Sequence, residues 1–563
     1  MSDKVLLLLP EIVLFAATCI VMIVGLSPSL HLRRTCGWIA GLALLIAMGL
    51  SAPRSGVPES GIDALFPQLM PFAKGMIAAV GLLLLPLMAG VVDRESEDEI
   101  ERGSTRFNPL RSNRAEFYAF FLFSLTGLML CASADDLIWL FLALELTSLP
   151  TYIMVTISMQ RGGAESRSQE AGVKYFFLGA LGAAVFLYGF ALLYGATGST
   201  SLPEIAAELR PQAIAGDLNP IATAGLIVAF LGLCFKIAAV PMHFYAADVY
   251  QGAAAGVSAF LAFVPKTAGF LAIILLFGTV GWEWNLTERQ LPEQLHWVVW
   301  IIAAATMTVG NVLALLQTSL KRLLAYSSVA HSGYMLAAVL AGPSVFSRPD
   351  ISFFDNGIAA LLFYLLSYGV MNLGAFAVIA SLERRRAEAG SAPELDHIDD
   401  LRGLNRTHPH LAAAMLLCGL SLLGFPPLLG FFGKLGLFTS IISTGNGDMY
   451  ALAVVLGVNS AIAALYYLRL VVAAYLDPRD DTRPGGFALT PFPTRPIAAL
   501  ASAGGVVVAT LFVGPLTQNS TEASRYAPAP IERGSTSGQE RQTASADTAA
   551  PSAEAGTPTP TRD

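Results

Sequence analysis

The sequence predicts an all-α polytopic membrane protein of about fourteen transmembrane helices, arranged as two inverted five-helix repeats with broken helices 7 and 12. Three observations lead there. The chain is 54% hydrophobic and only 13% charged, whereas soluble globular domains carry roughly 25% charged residues. Apolar stretches of about 18–25 residues, enough to cross a ~30 Å hydrocarbon core, recur with short polar connections. Positive charge gathers in alternate connections, the pattern of a membrane protein oriented by its basic loops.

In chain order the first seven spans fall at 5–26, 36–52, 69–92, 115–133, 136–157, 171–196 and 221–240. The other seven fall at 255–277, 295–317, 321–342, 357–382, 410–443, 449–475 and 496–515. The first run lacks a small-residue cleavage site and reads as a retained span. The seventh is broken by Pro241, with Met242 to Val249 continuing as a short second piece. The twelfth is overlong and interrupted at Gly424-Phe425-Pro426-Pro427, where neither proline donates a backbone bond. Interrupted helices are tolerated at membrane depth where they line a cavity, and they commonly mark ion paths.

The two breaks lie five spans apart. Five is odd, so helices four to eight repeat onto nine to thirteen upside down, a recurring transporter plan. The expected divisions follow: 1–114 for helices 1–3 and a charged loop, 115–277 for the first repeat, 295–475 for the second, and 476–515 for a loop and the fourteenth helix. Residues 516–563, rich in Ser, Thr, Ala, Pro and Glu, are expected to form a disordered tail.

One set of alternate connections holds Arg33, Arg34, Arg94, Arg102, Arg106, Arg111 and Arg114, then Lys321, Arg322, Arg384, Arg402 and Arg483 among others. The other set holds only Arg54, Arg210, Arg289 and Arg348, with Lys4 at the N-terminus. The first side is expected to be cytoplasmic, with both termini facing outward.

Lysine behaves differently from arginine. Five of the seven lysines, Lys74, Lys174, Lys236, Lys266 and Lys434, sit inside the apolar spans. A charge at a helix centre costs about 2.5–3.5 kcal/mol on insertion scales. Lysine gives up its proton readily when desolvated, whereas arginine keeps it. Lysine inside and arginine outside is the pattern of a protein that moves protons.

Glu145, in DLIWLFLALELTSLP, follows Asp135 and Asp136 by nine to ten residues, which puts it about 14–15 Å deep. Its natural partner is Lys236, in LCFKIAAVPMHF, one turn before the Pro241 break. The plain alternatives are a structural ion pair, a protonated acid, or a lysine capping carbonyls loosened by the break. Lys266, in SAFLAFVPKTAGF, directly follows Pro265, and Lys434, in GFPPLLGFFGKLGLF, lies beyond the second break as the repeat counterpart of Lys236. Each is a relay group or a structural tether. Lys174 has Glu170 four residues earlier and is either a secondary relay group or an ordinary pair. His331, in AYSSVAHSGY, bridges the lysine sites through water or is a satisfied core histidine. Lys74, near the outer end of the third helix, is expected to snorkel. His243 and Asp248 offer protons a way in or are ordinary helix-end polarity. Glu11 and Arg469 are packing or subunit-contact charges.

Other chemistries find no support in the sequence. There is no basic stripe or zinc spacing for nucleic acid, and no nucleotide-binding glycine loop. The H-P-H at His408 to His410 stands alone. Cys19, Cys36, Cys131, Cys234 and Cys418 lie in or beside apolar spans without a C-x-x-C and read as inert packing. No cofactor or metal is expected on this chain.

Glutamate in the fifth helix followed by lysines in the seventh, eighth and twelfth resembles the antiporter-like subunits of respiratory complex I. The stretches PMHFYAADVYQGA, SAFLAFVPKTAGF, LKRLLAYSSVAHSGYML and GFPPLLGFFGKLGLF narrow the resemblance to the subunit N family of NADH–quinone oxidoreductase. It runs from Leu9-Pro10-Glu11 to about the fourteenth helix. The resemblance implies a proton-translocating membrane-arm subunit of a bacterial inner-membrane complex, driven by quinone reduction elsewhere. It implies Glu145 and Lys236 as the coupled pair, Lys266 as the central group and Lys434 on the outlet side, with Lys174 and His331 along the axis between. Partners would be the other membrane-arm subunits, sister antiporter-like subunits included, and the lipid bilayer. NADH, flavin, iron–sulfur clusters and quinone would belong to the complex as a whole. The chain departs from the family at Ala247, Ala254 and Ala255, where members usually carry proline, and in the long charged loop from Asp93 to Arg114. Two rival readings are a subunit of a multi-subunit cation/proton antiporter, which shares the lysine pattern, and a passive scaffold with structural ion pairs.

Overall fold

Helices cover most of the predicted spans in the computed structural model, which describes residues 2–51, 65–109, 112–158, 165–283, 290–343, 352–384, 394–478 and 487–526. Among the described residues, eleven helices are long and apolar enough to cross a membrane. The number rises to twelve if Leu202–Ala215 and Pro220–Lys236, bent by 110° at their joint, form one span. The predicted first, seventh and twelfth spans come out as shorter helices, because a turn or a break consumes part of each apolar run.

The first half of the chain comprises α1 (Leu9–Gly25), α2 (Cys36–Leu50), α3 (Leu69–Leu84), the short polar α4 (Arg94–Glu101), α5 (Arg114–Ala132), α6 (Leu137–Ile157), α7 (Glu165–Thr197), α8 (Leu202–Ala215), α9 (Pro220–Lys236) and α10 (Ala246–Gly252). The rest comprises α11 (Ala255–Gly278), α12 (Glu293–Leu315), α13 (Leu320–Ala341), α14 (Gly357–Ala380), α15 (Pro409–Leu423), α16 (Leu429–Ile442), α17 (Gly447–Tyr475), α18 (Thr494–Leu511) and α19 (Val513–Ala523). Local chemistry sets several starts. Asp136 caps α6 by accepting from the backbone of Ile138 and Trp139. Asn219 caps α9 ahead of Pro220, and Ser319 caps α13.

Three helices form the centre. Every residue of α11 is buried, as are nearly all of α13 and α14. A helix apolar all round belongs inside, and these three carry the polar groups that matter below. Around them, α2, α7 and α17 expose apolar side chains such as Leu42, Phe177 and Val454, as lipid-facing helices do.

The break at the seventh span differs from its prediction. The helix ends at Lys236, and Ala238 takes a left-handed φ of 53°. Pro241 disfavours helix at the residue before it, so the unwinding starts upstream. The second piece is Ala246–Gly252, not Met242 to Val249. The twelfth span breaks as predicted: α15 stops at Leu423, Gly424 adopts φ 89°, and α16 resumes at Leu429.

Alanine in place of proline has a use here. The Ala254 N–H donates to Ser158 Oγ at 3.1 Å and the Ala255 N–H to Glu394 Oε2 at 2.9 Å. A proline could make neither bond. Glu394 also meets Lys321 at 3.5 Å, so this carboxylate ties α11 to α13.

Two expectations need correcting. The chain is not purely helical, since β1 (Leu382–Arg384) pairs antiparallel with β2 (Phe487–Leu489). The two segments run side by side outside the spans, and pairing satisfies their backbone groups. The tail does not lose order at 516: α19 packs against α14, and Tyr526 is buried, donating to the Gly278 carbonyl at 2.6 Å. Its ring also meets Phe66 and Trp282, apolar contacts that the tail's polar composition concealed. The expected tail from 527 onward lies outside the described residues.

Candidate functional site

The α9 break delivers Lys236 to Glu145 on α6. The ammonium donates to Glu145 Oε1 at 3.0 Å and to Ser148 Oγ at 2.5 Å. Ser148 spends its own proton on the Leu144 carbonyl, which leaves its lone pairs for the lysine. Lys236 is 2% exposed and Glu145 19%, so the pair sits at the edge of the buried interior.

Lys266 is buried on α11. It donates to the Ser328 carbonyl and to Ser332 Oγ, the latter at 2.8 Å. Ser332 in turn donates to the Ile237 carbonyl at 2.6 Å. That carbonyl belongs to the residue next to Lys236, freed by the same break. One hydroxyl therefore links Lys266 to the Lys236 turn. Gly269 makes the approach possible, because a Cβ there would lie 2.6 Å from Ile237 Cγ2 and 3.0 Å from Lys236 Cβ.

His331 lies beside Ser332 on α13, between two phenols. Its Nδ1 is 2.7 Å from Tyr364 Oη and its Nε2 2.9 Å from Tyr467 Oη, which meets Ser327 Oγ in turn. A neutral imidazole donates at one nitrogen and accepts at the other, and a phenol does either, so this trio supports both tautomers. The Ser328 hydroxyl and the Tyr368 phenol are buried nearby, close to one another. The Tyr368 ring centroid lies 5.0 Å from that of His331 and 5.9 Å from Lys266 Nζ.

Beyond His331 the Tyr334 ring leads to Lys434, with Nζ 5.3 Å from the ring centroid. Lys434 donates to the Leu423 carbonyl at 2.8 Å, a group released by the α15–α16 break. Gly424 is needed here for two reasons: its left-handed backbone, and a Cβ that would fall 2.9 Å from Lys434 Cδ. Behind Tyr334 lies a buried amide cluster in which Asn311 donates to Tyr334 Oη at 2.8 Å and accepts from Tyr466 Oη at 2.9 Å.

The remaining candidates fall elsewhere. Lys174 is 43% exposed and pairs with Glu170 at 2.6 Å and Asp248 at 3.4 Å, outside the buried line. Asp248 is taken up by Arg322 at 2.6 Å, and the buried His243 Nδ1 has no hydrogen-bond partner among the described residues. Lys74 does not snorkel. It is buried, 2.7 Å from Glu11 and 2.6 Å from the Leu7 carbonyl, because α1 brings a carboxylate to it from 63 positions away. Arg469 donates to the Gln317 carbonyl. Among the described residues, no group of three or more His, Cys, Asp or Glu is placed to hold a metal ion. Sequence reasoning missed Ser148, Ser332, Tyr364, Tyr467 and Asn311. The one signal was for Ser332, which stands one helical turn from Ser328 and next to His331.

Residues 134–462 match the family profile described as NADH:quinone oxidoreductase/Mrp antiporter, transmembrane. NADH-quinone oxidoreductase subunit N 2 from Symbiobacterium thermophilum is 36% identical, covering 92% of this chain and 96% of its own. A chain of respiratory complex I from Thermus thermophilus superposes with a TM-score of 0.67 at 30% identity, covering 91% of this chain and 99% of its own. A chain of the Mrp complex from Dietzia has the same fold, with a TM-score of 0.68 at 18% identity over 93% of this chain and 97% of its own.

Proposed function

The chain belongs to the NADH-quinone oxidoreductase subunit N family, and on that premise we propose that it carries protons along the Glu145, Lys236, Lys266, His331 and Lys434 line. It is a membrane-arm subunit of a proton-translocating NADH–quinone oxidoreductase and performs no redox step itself. NADH, flavin, iron–sulfur clusters and quinone belong to other subunits, and sister antiporter-like subunits flank this one in a bacterial inner membrane. The cation/proton antiporter reading is the weaker one: subunit N relatives reach 36% identity over nearly the whole chain, against 18% for the Mrp chain.

The observation that carries the relay is Ser332, hydrogen-bonded at once to Lys266 and to the carbonyl freed beside Lys236. A change in charge or conformation at Glu145, driven by quinone reduction, loosens its hold on Lys236. A proton released by Lys236 then passes over ordered water to Lys266, which Ser332 holds against the Lys236 turn. Ser328 and Tyr368 have the buried polarity that holds ordered water and closes the step to His331. His331 passes the proton between its two phenols toward Tyr334 and Lys434, and from there outward. Lys174 is a secondary group at the surface. Each charge moved against 100 mV costs about 2.3 kcal/mol, so the energy comes from the redox subunits.

In the same reading α1, the α9–α10 pair and the α15–α16 pair each complete a crossing, giving fourteen. Residues 115–277 and 295–475 are inverted repeats, with 1–114 before them and 476–515 after. The breaks support this, since each stands beside a lysine and releases a backbone carbonyl that joins the line, Ile237 to Ser332 and Leu423 to Lys434. The arginine-rich side is cytoplasmic and both termini face outward.

The test is proton translocation by the assembled complex in inverted membrane vesicles, measured beside NADH oxidation. Lys236→Ala and Lys434→Ala are each expected to lower translocation at least about tenfold, the loss of roughly 1.4 kcal/mol of charge stabilisation. Unchanged translocation in both assembled variants would overturn the relay in favour of a passive scaffold. Failure of the chain to co-purify with flavin and iron–sulfur subunits would favour the antiporter instead.

A further inference from the structure

The charged loop between α3 and α5 takes no part in the relay, yet it helps build a cavity of about 700 Å³. The cavity lies at the arginine-rich ends of α2, α3, α5 and α18, and it falls in the size range of small-molecule sites, about 300–1,000 Å³. Its walls are divided. Trp38, Leu85, Pro86 and Phe492 supply an apolar part, while α4 and its neighbours supply charge.

Most of that charge is already matched. Arg94 meets both oxygens of Glu383, at 2.8 and 3.0 Å, and its guanidinium covers the Phe492 ring. Arg114 holds Glu97 through two nitrogens, the Nε contact at 2.7 Å. Two charges in the wall remain available. Arg34 makes a single bond, to Glu101 at 2.7 Å, and both partners are half exposed. Such a pair is worth about 0–1 kcal/mol and yields easily to a better ligand. Asp98 has no ion pair among the described residues. One loosely held cation, Arg34, and one anion without an ion pair among the described residues, Asp98, suit a zwitterion in the same wall. A purely anionic ligand would meet Glu97 and Asp98 as well as the arginines.

The apolar part leads into the membrane. Trp38 is 82% exposed, and Leu42 and Leu45 follow it on α2 at spacings of four and three, both exposed. Residues so spaced share one helix face. Tryptophan is enriched at the level of lipid headgroups. The stripe therefore starts at the cavity and runs toward the bilayer centre, where an acyl chain lies.

We propose that this cavity seats a phosphatidylethanolamine molecule, its phosphate against Arg34, its ammonium against Asp98, and an acyl chain along Trp38, Leu42 and Leu45. The ammonium brings three N–H donors to the Asp98 carboxylate, which a quaternary choline headgroup lacks. The arginine fork suits a phosphate in the same way. The long charged loop is then a headgroup clamp. The site depends on the chain lying in a bilayer and not on the relay.

The test uses the intact complex, purified in mild detergent and washed free of loose lipid, with bound phospholipids then counted by mass spectrometry. The wild type is expected to keep one phosphatidylethanolamine that the Arg34→Gln/Asp98→Asn variant holds about tenfold less well, the scale of a lost charge-assisted hydrogen bond. Arg34→Lys, which keeps the charge, should retain most of it, and Trp38→Ala should weaken retention without abolishing it. Proton translocation should stay intact in all of them, since none touches the buried line. Equal retention by wild type and double variant would overturn the proposal. So would selective loss of phosphatidylglycerol, cardiolipin or phosphatidylcholine.

Discussion

Lys236 and Lys434 each stand beside a broken helix, but different groups hold them. Lys236 closes the helix before its break and reaches a carboxylate, Glu145. Lys434 begins beyond its break and reaches a backbone carbonyl and an aromatic face. A carboxylate fixes a full positive charge, whereas a carbonyl binds either the ammonium or a neutral amine's N–H. In the proposed relay the first lysine holds a charge until its partner changes, and the second takes a proton and lets it go. An interrupted helix thus offers two ways to keep an amine at membrane depth.

The strongest way to break this contrast is to remove the amine that has the carboxylate. Lys236→Met strands Glu145 and should destabilise the subunit by about 3–5 kcal/mol, as breaking a buried pair does. Adding Glu145→Gln should restore most of the stability in thermal unfolding of the purified complex, while proton translocation stays lost. If the double variant pumped, the pair would be structural.

A comparable loss of stability with pumping kept is expected at Lys74. Lys74→Met leaves Glu11 buried without a counter-charge, also about 3–5 kcal/mol, and Lys74→Met with Glu11→Leu should recover it. Lost pumping in the stable double variant would make this pair a third station and not a clasp between α1 and α3.

Gly424→Ala probes the second break. A left-handed alanine costs about 1–2 kcal/mol, and the new methyl crowds Lys434 Cδ at 2.9 Å. Translocation should fall more than stability does. Equal effects would mean that Lys434 tolerates displacement.

Lys174→Ala should do least. Its exposed pair with Glu170 is worth about 0.3–0.5 kcal/mol, so unfolding should not shift and translocation should change less than twofold. A loss as large as that of Lys236→Ala would bring the surface lysine into the main line.

The lysines were legible in the sequence because each breaks the rule that a span is apolar, and Pro241, Pro426 and Pro427 mark the two nearby breaks. Apart from Glu145 beside Lys236, their partners were not. Ser148, Ser332, Tyr364 and Tyr467 are ordinary residues in a helix, and only the approach of α9 to α6 and the packing of α13 against α11, α14 and α17 turn them into a network. The expected snorkelling of Lys74 failed for the same reason, since sequence depth does not say which side of a helix meets a distant carboxylate. The expected tail failed at Val513–Ala523, where polar composition hid a helix with one face to pack.

By itself the sequence determined that apolar helices lie in a bilayer, that arginines gather in alternate connections, that two helices break near Pro241 and Gly424, and which residues put a charge where hydrocarbon tolerates none. These follow from transfer energies and backbone chemistry, which act residue by residue. Tertiary structure alone decided which hydroxyl bridges to the next amine, that Lys174 stays at the surface, and that a charged loop lines a cavity. Each depends on the rotation and approach of helices far apart in the chain, and in a membrane that is set by close packing between faces that the one-dimensional pattern leaves equivalent.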